Sequence, residues 1–223
     1  MNIYLRAIIL PIFLGSCSLI DTQRFAPNYV NAFNSIKDSF YGYDESLISS
    51  QLVDQISYAS LIVKVGKGPE GLLILESIDQ NKLIYVSADN IRFVLKDGKV
   101  IRTSGFNNNL IRVVEPRDVL RNFYSSDKIQ TGYMAYYSYD EPPVNQMKIE
   151  VVLSKTGYEE IAVFEEKIKV FKIKEEVTNS YLGWSRINTY WVDEKEFFVW
   201  KSEQYISPLL PFVSYQITKK PAL

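Results

Sequence analysis

The sequence predicts a mainly β protein: an antiparallel curled sheet, barrel or sandwich of about eleven strands, preceded by one N-terminal helix. Three observations predict it. From Ser57 onward, short runs rich in Ile, Val, Leu and Tyr follow one another with period two and are broken by turn-forming clusters. Aromatic residues are abundant, with 16 Tyr, 12 Phe and 3 Trp, a bias that suits half-buried strands. Apolar residues at 47% and charged residues at 23% are ordinary globular usage, enough to build one core in a chain of 223 residues.

The first segment reads as an export signal. Met1 to Arg6 carry one positive side chain, Ala7 to Leu14 form an apolar run, and small residues precede Cys17. An apolar run of about eight residues is far short of the roughly 20 that span a bilayer, so a signal peptide is expected over 1–16. Leu14-Gly15-Ser16-Cys17 resembles a bacterial lipobox. That resemblance implies a diacylglycerol on the Cys17 thiol, cleavage before it and acylation of the new amino group. Two or three acyl chains make such attachment stable where one would be reversible. Ser18 follows in place of Asp, which resembles lipoproteins sorted to the outer membrane. The expected organisation is signal peptide 1–16, lipidated tether 17–26 and a single β-rich periplasmic domain over 27–223.

Tyr29, Phe33, Ile36 and Phe40 recur at the spacing of one apolar helical stripe and predict a helix over 28–40. Leu52 to Ile56 fits either a helical turn or a strand. Strands follow at 57–65, 71–77, 82–88, 91–96 and 99–104, and Asp97-Gly98 between the last two tolerates the positive φ of a two-residue hairpin turn. Pro116 to Phe123 fits a short helix. Further strands are expected at 129–139, 147–154, 167–177, 184–192, 196–202 and 212–218. In the third of these Ile168 and Val170 share one face while Phe171 and Ile173 share the other, so a β-bulge near Val170-Phe171 would turn all four inward.

Two absences restrict the chemistry. There is no histidine, the commonest general base and metal ligand, and the one cysteine can form neither an intramolecular disulfide nor a thiolate cluster. No metal and no cofactor are expected. Formal net charge is −1 without long runs of one sign, so nucleic acid is not an expected partner.

Several segments together resemble the YjbF and GfcB (YmcC) family of lipoproteins. They are Ile56-Ser57-Tyr58-Ala59-Ser60-Leu61, Tyr85-Val86-Ser87-Ala88-Asp89, Asp97 through Phe106, Asn188 through Asp193 and Val199 through Pro208. Where the family usually shows Trp before Ser-Ala-Asp this chain has Tyr85, and where Gly-Arg follows the turn it has Gly98-Lys99, which keeps the charge without the planar fork. The resemblance implies an all-β periplasmic lipoprotein that supports exopolysaccharide or capsule export beside an outer-membrane secretion protein. It brings no catalytic residues.

Trp184, Trp191, Trp200 and Tyr137, with Tyr133, Tyr136 and Tyr139 nearby, are candidates for glycan or partner contact, because flat aromatic faces can stack on sugar rings. Alternation places Tyr137 and Tyr139 on one strand face and Tyr136 on the other, which directs part of this cluster into a core. Glu159-Glu160 and Glu165-Glu166 read as a solvated edge, and Lys167, Lys169, Lys172 and Lys174 with Glu165, Glu175 and Glu176 as a solvent face. The expected function is a non-enzymatic lipoprotein held at the outer membrane through Cys17, with its body binding a secretion protein, polysaccharide or both. The alternative is a polysaccharide-modifying enzyme, which requires two facing carboxylates in a cleft.

Overall fold

The computed structural model describes residues 48–222, so the expected signal peptide, the Cys17 tether and the helix over 28–40 lie outside the described residues. The described chain opens with α1 (Ser50–Asp54), whose N-cap Ser49 hydroxyl accepts the Leu52 N–H. The ambiguous stretch at 52–56 therefore begins as a helical turn.

Strands β1 (Ser60–Val65), β2 (Glu70–Asp79), β3 (Lys82–Ser87), β4 (Arg92–Lys96), β5 (Lys99–Ser104) and β6 (Leu110–Val114) precede α2 (Val119–Tyr124). Then follow β7 (Gln130–Tyr139), β8 (Val144–Val163), β9 (Glu166–Asn179), β10 (Trp184–Asp193), β11 (Val199–Gln204) and β12 (Val213–Lys219). All twelve belong to one antiparallel sheet in which each strand pairs with its sequence neighbour, β1 pairs with β12, and only β5 and β6 stand at the ends. This is an up-and-down, nearly closed barrel whose seam falls between β5 and β6. There the Leu110 N–H donates to the Thr103 hydroxyl at 3.0 Å, so a side chain substitutes for a ladder bond.

Inward residues alternate as a period-two sheet requires. Leu61, Leu73, Phe93, Ile149, Val151, Leu153, Ile173, Val177, Val192 and Ile217 are all buried in one core. Each such side chain contributes about 1.5–3 kcal/mol by leaving water.

Among the described residues there are twelve strands where about eleven were expected, and the additional one is β6. It has five residues, only Leu110 of them buried, so it lacks the alternation that marks the others. The hairpin of β8 and β9 is also longer than the sequence suggests, because its solvent-facing tip is rich in Glu and Lys and weakens the strand pattern.

The expected bulge at Val170-Phe171 is absent. Val170 and Phe171 pair in step with β10, and the additional residue is Thr156 on β8, between Lys155 opposite Ile173 and Gly157 opposite Lys172. Gly157 adopts φ +143°, a conformation open to glycine, and the hairpin bends there. Its tip turns over the outer face of the sheet, where the Gln216 amide of β12 donates to the Ala162 carbonyl at 2.8 Å. Val163 and Val170 are consequently buried although they lie outside the main core.

Candidate functional site

Inside the barrel, β5, β7, β9, β10 and β11 bring polar side chains together around one cation. Lys99 Nζ donates to Glu175 Oε1 at 2.7 Å, to Glu115 Oε2 at 2.9 Å and to the Tyr133 hydroxyl at 3.2 Å. The side chains of Lys99 and Glu175 are 1% and 0% exposed. The second Glu175 oxygen accepts from Tyr190 OH at 2.6 Å and Asn188 Nδ2 at 2.8 Å. The ammonium also lies 5.7 Å and 5.5 Å from the ring centroids of Tyr133 and Tyr137, within cation–π range.

Burial by itself would favour the neutral forms of both ions. At Glu175 that push is overridden by the Lys99 charge and by hydrogen bonds from Lys99, Tyr190 and Asn188, which hold the carboxyl below its ordinary range. At Lys99 the Glu175 carboxylate, Tyr133, Tyr137 and Glu115 likewise override burial and hold the amine well above its ordinary value. Burial pushes the phenols of Tyr133 and Tyr190 well up, so both stay protonated. The arrangement is an ion pair with its lone pairs satisfied, the condition under which buried charge is tolerated.

The turn leading into Lys99 is fixed from several sides. The Asp97 carbonyl accepts from Tyr124 OH at 3.0 Å, and the Gly98 carbonyl accepts from Tyr215 OH at 2.6 Å and Gln204 Nε2 at 3.0 Å. Gly98 has φ +84°, and a Cβ there would stand 2.3 Å from Val199 Cγ2. Both the conformation and the space require glycine.

Beside this turn the barrel opens into a pocket of about 760 Å³. Leu83, Leu95, Phe197, Phe198 and Ile217 give it an apolar lining, with Arg121 and Lys220 among its polar residues. The volume is in the range of ligand sites, and a barrel mouth is a usual place for one. A polar cleft of about 230 Å³ lies under the β8–β9 tip, between Phe164 and outer-face residues such as Lys201 and Gln216.

The four aromatic candidates do not share a surface. Tyr137 and Trp184 are buried in the barrel core. Trp191 faces outward but is only 7% exposed, because the β8–β9 hairpin covers it. Its ring lies between the Lys172 and Lys201 ammonium groups, 5.3 Å and 4.6 Å from its centroid, and its indole N–H donates to Glu159. Trp200 is half-buried at the pocket end, edge-on to Phe198 at 5.2 Å, and its indole N–H meets no acceptor among the described residues. Tyr139 is buried with its hydroxyl on the Ile206 carbonyl, while Tyr136 is exposed, as alternation predicts.

Reading Glu175 as part of a solvent face is overturned by its complete burial. The missed signal is its phase: Phe171, Ile173, Glu175 and Val177 alternate on one face, so the carboxylate follows apolar neighbours inward. Glu159 departs from a free solvated edge as well, since Lys172 pairs with it at 2.9 Å and this pairing, with the Trp191 bond, holds its carboxyl below the ordinary range.

Comparison with known proteins places the chain in a class of capsule polysaccharide lipoproteins. It belongs to the YjbF family: the family model described as Group 4 capsule polysaccharide lipoprotein gfcB, YjbF matches residues 33–218. The chain is 22% identical over 204 residues to the uncharacterized lipoprotein GfcB of Escherichia coli K12, covering 89% of each. It is 23% identical to the uncharacterized lipoprotein YjbF of the same organism, covering 78% of this chain and 81% of that one. The crystal structure of the hypothetical lipoprotein YmcC from Escherichia coli superposes with a TM-score of 0.69 at 24% identity, over 79% of this chain and 91% of that one, a likeness of fold.

Proposed function

We propose that the protein is a non-enzymatic accessory lipoprotein of exopolysaccharide or capsule secretion. Its acylated Cys17 holds it at the inner leaflet of the outer membrane, and its barrel body binds an outer-membrane secretion protein, nascent polysaccharide or both. Membership of a capsule lipoprotein family supports the setting. Tethering raises effective concentration, so contacts weak in solution suffice on the membrane.

One observation carries the non-enzymatic reading. Glycan-cleaving chemistry needs two facing carboxylates open to a sugar, whereas Glu115 and Glu175, the two carboxylates on Lys99, are both bonded to that ammonium inside the barrel, where Glu175 has no exposed surface. A carboxylate with Lys99, Tyr133, Asn188 and Tyr190 on its two oxygens has no capacity left for a sugar or a water. The reading is tested by capture of the tagged, full-length protein from detergent-solubilised membranes of its own cells. Recovery of a polysaccharide-secretion component supports it, and its absence together with glycan turnover by the purified protein overturns it.

A further inference from the structure

We propose that the pocket at the barrel mouth is filled from within the same chain, by the apolar stripe of Tyr29, Phe33, Ile36 and Phe40. The stripe lies outside the described residues, and three observations point to its place.

The first is the stripe itself. Four large apolar side chains at i, i+4, i+7 and i+11 need a surface to cover them.

The second is where the chain arrives. The Ile56 carbonyl accepts from Lys219 Nζ at 2.7 Å, and Lys219 adjoins Lys220, Pro221 and Ala222, which line the pocket. Serial antiparallel pairing puts the turns after β2, β4 and β10 at this same end, and their residues Asn81, Gly98 and Phe198 line the pocket too. Seven residues, 41–47, separate Phe40 from Ile48, and that length of chain reaches up to about 28 Å, enough to bring the stripe back over the mouth.

The third is the extent of the family. The matching family model begins at residue 33, inside the stripe and well before β1. The match therefore takes in Phe33, Ile36 and Phe40 together with the barrel.

A consequence follows that rests on the lipid-anchor reading. With the stripe seated, only the residues from Cys17 to about Tyr29 remain as tether, so the mouth faces the membrane. The opposite end of the barrel, where Tyr181, Leu182 and Leu209 are exposed, then points away from it.

The test uses the full-length chain carrying Cys17→Ser, which removes the only native thiol and makes the outcome independent of lipid attachment. In this background the pair Ile36→Cys and Phe198→Cys is treated with bismaleimidoethane, with Ile36→Cys and Tyr181→Cys as the far-end control. Intramolecular cross-linking of most of the first pair and less than a tenth of the control is expected. In parallel, Phe33→Asp with Ile36→Asp should raise anilinonaphthalenesulfonate fluorescence severalfold, with near-ultraviolet circular dichroism confirming that the barrel remains folded. No cross-link in the first pair, a cross-linked dimer in its place, or equally strong dye fluorescence from the unsubstituted chain would each overturn the proposal. The dimer would assign the mouth to a second copy.

Discussion

Lys99 Nζ and Glu175 Oε1 lie 2.7 Å apart inside the barrel, joining the fifth strand to the ninth. Removing one ion of a buried pair leaves the other without compensation, at about 3–5 kcal/mol. Lys99→Met and Glu175→Met are each expected to destabilise the fold by that amount in urea unfolding. The double substitution is expected to fall well short of their sum, because the two sites share one network.

The same pair sets a pH dependence. Glu175 has a folded pKa below its unfolded value, so its contribution is present above the unfolded carboxylate range of about 4.3 and is lost as pH falls through the folded value. Lys99 has a folded pKa above its unfolded value, so its contribution is present below about 10.4 and is lost as pH rises through the folded value. The contribution of this pair should therefore be flat between these limits. In Lys99→Met the buried Glu175 loses its cation and its pKa rises above the unfolded value. That variant should gain stability as pH falls from 7 to 5, while the unsubstituted protein does not, measured as urea midpoints across pH.

Gly98 and Gly157 separate two origins of strain. Gly98→Ala meets both a positive φ and Val199, whereas Gly157→Ala meets a positive φ and open space. The first is expected to destabilise by about 3 kcal/mol or more and the second by about 1 kcal/mol, compared in thermal melts.

Much of this fold is legible in the sequence because solvent-facing and core-facing residues alternate. Asp97-Gly98 marks the β4–β5 hairpin at the residue, and Tyr136 against Tyr137 predicts which ring is exposed. β6 escapes notice because its one buried residue, Leu110, gives no period. Val170 misleads because the hairpin that carries it bends at Gly157 and turns over the outer face of the sheet, a tertiary event with no local signature. The ionic core was half visible: the strand phase directs Glu175 inward, but its partner Lys99 is 76 residues away and no spacing rule connects them.

Trp191 connects the β8–β9 hairpin to the outer face of the barrel through Glu159 and two lysines. Trp191→Ala should release the hairpin tip. Hydrogen exchange is expected to accelerate over 158–169 while β1 to β5 stay unchanged, with a loss of about 3 kcal/mol in global stability.

The proposed role rests on the anchored body and on no carboxylate chemistry. It is tested most directly by measuring surface polysaccharide on cells that lack the gene and carry Cys17→Ala or Glu115→Gln copies at matched protein levels. Cys17→Ala is expected to fail to restore export and Glu115→Gln to restore it. Export restored by Cys17→Ala and lost with a folded Glu115→Gln protein would contradict it.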